Sequence, residues 1–213
     1  MKNIVLFPGL AADERLFASL NLEPFAVQAI HWLKPEKTES LQQYARRIAA
    51  TIEPREETIF IGVSFGGLLA QEVAQFYAVE KIILISSLSS ANQLPAALSF
   101  FRIFPVYRWV GENQLKNLVV WMGKKYTKKN EMESIIFQSM VQEADIHLVR
   151  WGISQTLHWK QSAPLFNIIH IHGTGDRLFP SAHIPVDYTI YGGQHFMVLQ
   201  EGAVISALLK KLL

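Results

Sequence analysis

A chain of 213 residues is long enough for one domain with a substantial core. With half of its residues hydrophobic and 18% charged it reads as globular rather than disordered. A net charge of +2 gives no support to nucleic-acid binding, and the absence of cysteine excludes disulfides and thiolate–zinc sites. No apolar run approaches the ~20 residues that span a bilayer. The apolar run at the N-terminus is broken by Pro8-Gly9 and is too short for a signal-peptide core. The expectation is a cytoplasmic protein with no membrane insertion; the composition says nothing of oligomeric state.

Taken in order, Asn3 to Phe7 reads as a buried strand ended by Pro8-Gly9. Asp13 is placed to cap a short helix over Glu14 to Leu20, and Phe25 to Leu33 is a second strand, with His31 near its end. Ser40 opens a helix whose apolar face is Leu41, Tyr44, Ala45, Ile48 and Ile52. Thr58 to Val63 is a third strand, followed by a helix to about Tyr77, and Lys81 to Ser87 is a fourth strand. Strands alternating with helices, in near-continuous apolar runs, call for a parallel sheet covered on both faces, with ligands beyond the carboxyl ends of the strands.

The rhythm then breaks. Between residues 92 and 164 the chain reads as helices alone: Pro95 to Trp109, Asn113 to Met122, Glu131 to Gln142 and Glu143 to Trp159. An insertion after the fourth strand sits above the third, so this stretch reads as a helical cap with an apolar, aromatic-lined underside, although most of its aromatics are expected to pack the cap helices against one another. The basic run Lys124, Lys125, Lys128 and Lys129 reads as a solvated loop. The sheet resumes at Leu165 to His172, then Gly173-Thr174-Gly175-Asp176. Val186 to Tyr191 is the last strand, followed by Gly192-Gly193-Gln194-His195-Phe196 and a closing helix from about Leu199 to Leu213.

The chemistry is concentrated in Gly62-Val63-Ser64-Phe65-Gly66-Gly67, a strand that turns at once into a helix. A serine at the tip of so sharp a turn projects its hydroxyl above the strand ends, and the turn is tight enough that Gly62 and Gly66 have no room for a side chain. A serine hydroxyl is inert at neutral pH without a base, and the base needs a carboxylate to fix its tautomer. His195 is the histidine after the last strand. Of the four aspartates, Asp13 lies in the first turn region, Asp145 in the cap, and Asp187 starts the last strand and is expected to point along its body. Only Asp176 sits just beyond a strand and before His195. The Phe65 amide follows the nucleophile at a helix N-terminus, and the Leu10 amide, next to Gly9, is the second candidate donor for an oxyanion; the side chains of both residues are expected to wall a pocket. His170 and His172 lie two apart on one strand face and read as a packed or hydrogen-bonded pair rather than a metal site, since no third ligand has suitable spacing.

Together Phe7-Pro8-Gly9-Leu10, the Gly-x-Ser-x-Gly turn, Gly173-Thr174-Gly175-Asp176 and Gly192-Gly193-Gln194-His195-Phe196 resemble, in that order, the α/β-hydrolase fold family. The resemblance implies a mostly parallel sheet of about six strands, because the chain begins at what would be the family's third strand. It departs where Pro8 stands in place of a histidine that many members carry at the oxyanion turn. It also implies a Ser64–His195–Asp176 serine hydrolase, carboxylesterase-like, that cleaves a small, largely apolar ester or related acyl bond through an acyl-enzyme, with no cofactor and no metal. Lyase or C–C bond hydrolase chemistry with the same residues stays open, as does a ligand-binding or receptor role with vestigial catalysis.

Overall fold

The computed structural model describes residues 2–126, 131–161 and 167–213. Six strands form one sheet: β1 (Asn3–Phe7), β2 (Ala26–Ala29), β3 (Thr58–Val63), β4 (Lys81–Ile85), β5 (Ile168–Gly173) and β6 (Tyr188–Ile190). Their order is β2-β1-β3-β4-β5-β6 and every neighbouring pair is parallel. β1 and β3 are buried at every residue, as expected for strands covered on both faces, whereas β2 and β6 lie at the edges and are partly exposed.

Alternation along the strands divides the core in two. Val5, Phe7, Phe60, Ile82 and Leu84 face α1 (Leu41–Ala49) and α2 (Phe65–Val73), burying Tyr44, Ile48, Leu68, Leu69 and Val73. Ile4, Leu6, Ile59, Ile61, Ile83 and Ile85 face the other way, toward Leu16 and toward Ile205 and Leu209 of α8 (Gly202–Leu212). Ser40 caps α1 with a reciprocal bond pair: its Oγ accepts from the Gln43 amide, and the Gln43 side chain accepts from the Ser40 amide.

The sheet order reverses between β1 and β3, since the chain leaves β1 toward β2 and leaves β3 toward β4. In an open parallel sheet such a reversal opens a crevice at the carboxyl ends of the two strands. Residues 8–10 and Ser64 stand on its two sides.

Several sequence expectations are trimmed. The turn after Asp13 is a 3-10 helix over Glu14–Phe17 only, although Asp13 does cap it by accepting from the Arg15 amide. β2 ends at Ala29, which leaves His31 beyond it with an 81% exposed side chain. α2 stops at Val73 rather than Tyr77, and the closing helix is split into α7 (Met197–Gln200) and α8. β6 starts at Tyr188, so Asp187 is not part of it; its carboxylate turns back and accepts from the His170 amide of β5 at 2.7 Å.

Between β4 and β5 the chain is helical: α3 (Ala96–Ile103), α4 (Glu112–Tyr126), α5 (Glu131–Glu143) and α6 (Ile146–His158). The first predicted helix is broken at Pro105, which lacks the amide that would continue it; a 3-10 turn over Val106–Arg108 follows. α6 is anchored to the sheet layer. Trp151 Nε1 donates to the Glu39 carbonyl at 2.8 Å, Gln155 Oε1 accepts from the Leu41 amide at 3.0 Å, and Trp159 Nε1, just past the helix, reaches Glu72 Oε1 at 2.8 Å. The other two tryptophans of this stretch point outward: Trp109 is 76% and Trp121 58% exposed. Of these four tryptophans, Trp151 and Trp159 are the two that bond to the sheet layer. Lys128 and Lys129 and the expected strand start at Leu165 lie outside the described residues, as do the side chains of Lys124 and Lys125. Among the described residues no helix is long and apolar enough to cross a membrane.

Candidate active site

The turn after β3 has the shape its residues dictate. Ser64 has φ 53° and ψ −122°, a conformation that costs a non-glycine residue of order 1–3 kcal/mol and persists only where surrounding contacts impose it. Those contacts are visible. A methyl group built on Gly62 would lie 2.5 Å from Gly67 Cα. One built on Gly66 would lie 2.6 Å from the Phe7 carbonyl carbon and would overlap the Phe7 and Pro8 carbonyl oxygens. Strand, helix and the β1 loop thus meet with no space between them. The Ser64 amide donates to the Ile85 carbonyl at 3.0 Å, and Ser87 Oγ donates to the Ser64 carbonyl at 2.6 Å. Ser87 sits at the end of β4, where the sequence shows serines but nothing that marks this one as a brace.

Ser64, His195 and Asp176 come together although they are far apart in the chain. Ser64 Oγ lies 2.8 Å from His195 Nε2, and His195 Nδ1 lies 2.8 Å from Asp176 Oδ2. A carboxylate only accepts, so Nδ1 carries the ring proton and Nε2 is left with the lone pair that faces the serine hydroxyl. Both partners are buried, His195 to 3% and Asp176 to 3% exposure, while Ser64 is partly exposed. Asp176 Oδ1 accepts from the amides of Leu178 and Phe179, each at 2.9 Å. Burial alone raises the pKa of this carboxyl. The electrostatic interaction with His195, the N–H groups of His172 and His195 and the Phe179 amide outweigh it and hold the group well below the usual carboxylate range.

The remaining aspartates are engaged elsewhere: Asp13 with Arg15, Asp145 as the cap of α6, and Asp187 on β5. Asp176 is the aspartate whose carboxylate meets His195. His170 and His172 pack as the spacing predicts, with His172 Nδ1 3.2 Å from His170 Nε2. Among the described residues no group of three or more potential ligands is arranged for a metal ion.

Leu10 and Phe65 flank the serine. A methyl group built on Gly9 would lie 3.6 Å from Ser64 Cβ, so the β1 loop rests against Ser64. Phe65 is the first residue of α2, and its amide has no carbonyl within the helix to bond. The side chains depart from expectation. Phe65 is 2% exposed, stacked on Trp32 at 5.8 Å and edge-on to Trp151 at 6.0 Å, so it supports a wall without forming its surface. Leu10 is partly exposed and packs under Gly152 of α6, where an added methyl would lie 3.2 Å from Leu10 Cδ2 and overlap Cδ1. Beside this loop lies a cavity of about 320 Å³, lined by Ala11, Trp32, Leu33, Met140 and Leu148, with Asp13, Lys34, Glu143 and Asp145 at polar positions. Ser64 and His195 are not among its lining residues.

No protein-family model and no curated protein sequence matches the chain. Solved structures do. The chain is similar to a lipase-esterase related protein from Clostridium acetobutylicum, with a TM-score of 0.73 and 14% identity over 100% of this chain and 94% of that one. It is similar to a carboxylesterase from Nitrososphaera gargenis (TM-score 0.76, 16% identity, 99% and 89% covered). A putative non-heme bromoperoxidase from Mycobacterium tuberculosis aligns with a TM-score of 0.71 and 13% identity, over 99% and 91%. Sheet order, strained serine turn and these full-length likenesses agree that the chain has the α/β-hydrolase fold.

Proposed function

We propose that the protein is a serine hydrolase that cleaves a small, largely apolar ester or related acyl bond through an acyl-enzyme. The observation that carries the reading is the unbroken line from Ser64 Oγ to His195 to Asp176, with 2.8 Å at each step, at the crevice of a parallel sheet. The full-length likeness to esterase structures supports it.

The reaction follows from the proton positions. Ser64 Oγ attacks the acyl carbon while His195 Nε2 takes the hydroxyl proton. The imidazolium so formed is held by Asp176, whose low pKa keeps it ionised throughout. The carbonyl oxygen becomes an oxyanion held by the amides of Leu10 and Phe65, each donor worth roughly 10²–10³ in turnover. His195 returns the proton to the leaving alcohol oxygen as the C–O bond breaks, leaving the acyl group on Ser64. A water molecule then repeats the sequence: His195 takes its proton, its oxygen attacks the acyl carbon, and Ser64 leaves as the free hydroxyl. No cofactor takes part.

Hydrolysis of p-nitrophenyl acetate and butyrate by the wild type and by Ser64→Ala tests the proposal. Turnover by the wild type and loss of at least about 10³-fold in the variant is the expected result. Equal rates for the two proteins at every acyl length would rule out esterase chemistry at Ser64.

A further inference from the structure

The carboxylate that orients His195 is itself held by a side chain the reaction does not use. His172, in β5, is 0% exposed. Its Nε2 lies 2.8 Å from the Phe179 carbonyl oxygen and 3.3 Å from Asp176 Oδ2. Both of those atoms only accept, so Nε2 is the donating edge of the ring and Nδ1 is the edge turned to His170. Nδ1 faces His170 Nε2 at 3.2 Å, so the tautomer of one ring is coupled to that of the other. The His170 backbone amide is in turn bonded to Asp187 Oδ2 at 2.7 Å, which ties the strand to the segment leading into β6. His170 is buried to 2% exposure, and burial, together with the neighbouring His172, pushes its pKa down to about 4, so it faces His172 uncharged at neutral pH.

The turn that carries the acid is therefore clamped at both ends. Asp176 Oδ1 holds the amides of Leu178 and Phe179, while the Phe179 carbonyl is held to β5 by His172. Phe179 also sets its ring edge-on to His195 at 5.3 Å. The groups facing His172 are Asp176 and the Phe179 carbonyl on one edge and His170 on the other.

We infer that His172 is a positioning residue of the acyl-transfer site: its Nε2–H pins the Asp176–Phe179 turn and directs Oδ2 toward His195, and His170 locks His172 in the tautomer that can do so. The inference rests on the proposed role of Asp176 as the carboxylate that orients His195. Its physical basis is that an orienting group displaced by about 1 Å can cost about 10²-fold in rate without touching substrate.

The test compares His172→Leu, which removes the donor, with His172→Gln, whose side-chain amide keeps an N–H at similar reach. Turnover of p-nitrophenyl butyrate and the downfield proton signal of His195 Nδ1–H, assigned by its loss in His195→Gln, are both read. His172→Leu lowers kcat by about 10–100-fold with KM within about twofold and shifts the His195 signal, while His172→Gln restores both to near wild type. If His172→Leu does not fold, His172→Asn, too short to reach the Phe179 carbonyl, takes its place. A folded donor-less variant with unchanged kcat and an unshifted signal overturns the inference. If the wild type proves not to hydrolyse esters, the proposed function fails on its own, and the signal alone then decides: shifted in the Leu variant supports the clamp, unshifted overturns it.

Discussion

Replacing Asp176 by Asn probes the site with almost no change of shape. The two amides that bond Oδ1 require an oxygen there, so the Asn amide oxygen stays with Leu178 and Phe179 and its NH₂ takes the place of Oδ2. That NH₂ then faces His195 Nδ1 at 2.8 Å and His172 Nε2 at 3.3 Å. His195 must turn its lone pair to Nδ1 and its proton to Nε2, where it can no longer accept from Ser64. The charge is lost as well. A carboxylate and an imidazolium with charge centres about 4 Å apart, at an effective dielectric constant of about 20, attract by about 4 kcal/mol. At about 1.4 kcal/mol per decade this is about 10³-fold in rate, and the wrong tautomer adds to it. We expect kcat for p-nitrophenyl butyrate to fall by about 10³–10⁴-fold with KM little changed, in a protein whose circular dichroism and melting remain those of a folded chain. A folded Asp176→Asn protein that keeps more than about a tenth of wild-type kcat would refute the assignment of Asp176 and the proton positions argued from it.

Two further predictions concern the frame of the site. Gly66→Ala forces a methyl into the Phe7 and Pro8 carbonyls, which are backbone and cannot swing aside. We expect a loss of about 1–3 kcal/mol, seen as a melting temperature lower by about 3–10 °C, together with slower ester hydrolysis because the displaced β1 loop carries Leu10; unchanged melting and turnover would contradict the packing. His170 has a folded-state pKa of about 4 against an ordinary value of 6.5. Between these values the unfolded chain binds a proton that the folded one does not, so its contribution is fully present above about pH 6.5 and is lost as pH falls toward 4. The difference amounts to about 3 kcal/mol, and in urea titrations His170→Asn should show a shallower loss of stability across that window; equal slopes would contradict it.

Much of the site is legible in the chain because its parts are local. Gly62, Ser64 and Gly66 specify a turn through steric exclusion, and the turn's position after an apolar strand fixes where it points. Asp176 and His195 each follow a strand, and the sheet edge brings the two side chains together. What the sequence conceals depends on tertiary packing. The exposed Trp109 and Trp121 look no different in sequence from the inward-facing Trp151 and Trp159, because the helices between β4 and β5 are apolar on more than one side and periodicity cannot choose between them. His170 and His172 announce themselves as a pair, but their link to the acid turn depends on how residues 176–179 fold back over β5. Ser87 was one of several serines, and only the approach of β4 to the Ser64 carbonyl distinguishes it. The end of β2 is hard to place because Ile30, Trp32 and Leu33 continue its apolar run past the last residue of the strand.

Covalent labelling reads whether Ser64 is a nucleophile activated by His195 without assuming a substrate. Incubation with a fluorophosphonate, followed by intact-mass measurement and peptide mapping, should give a single adduct on Ser64. None should form on Ser64→Ala, and labelling of His195→Ala should be slower by at least about 10²-fold. A folded wild-type protein that takes no label, or takes it equally well without His195, would contradict that role of Ser64.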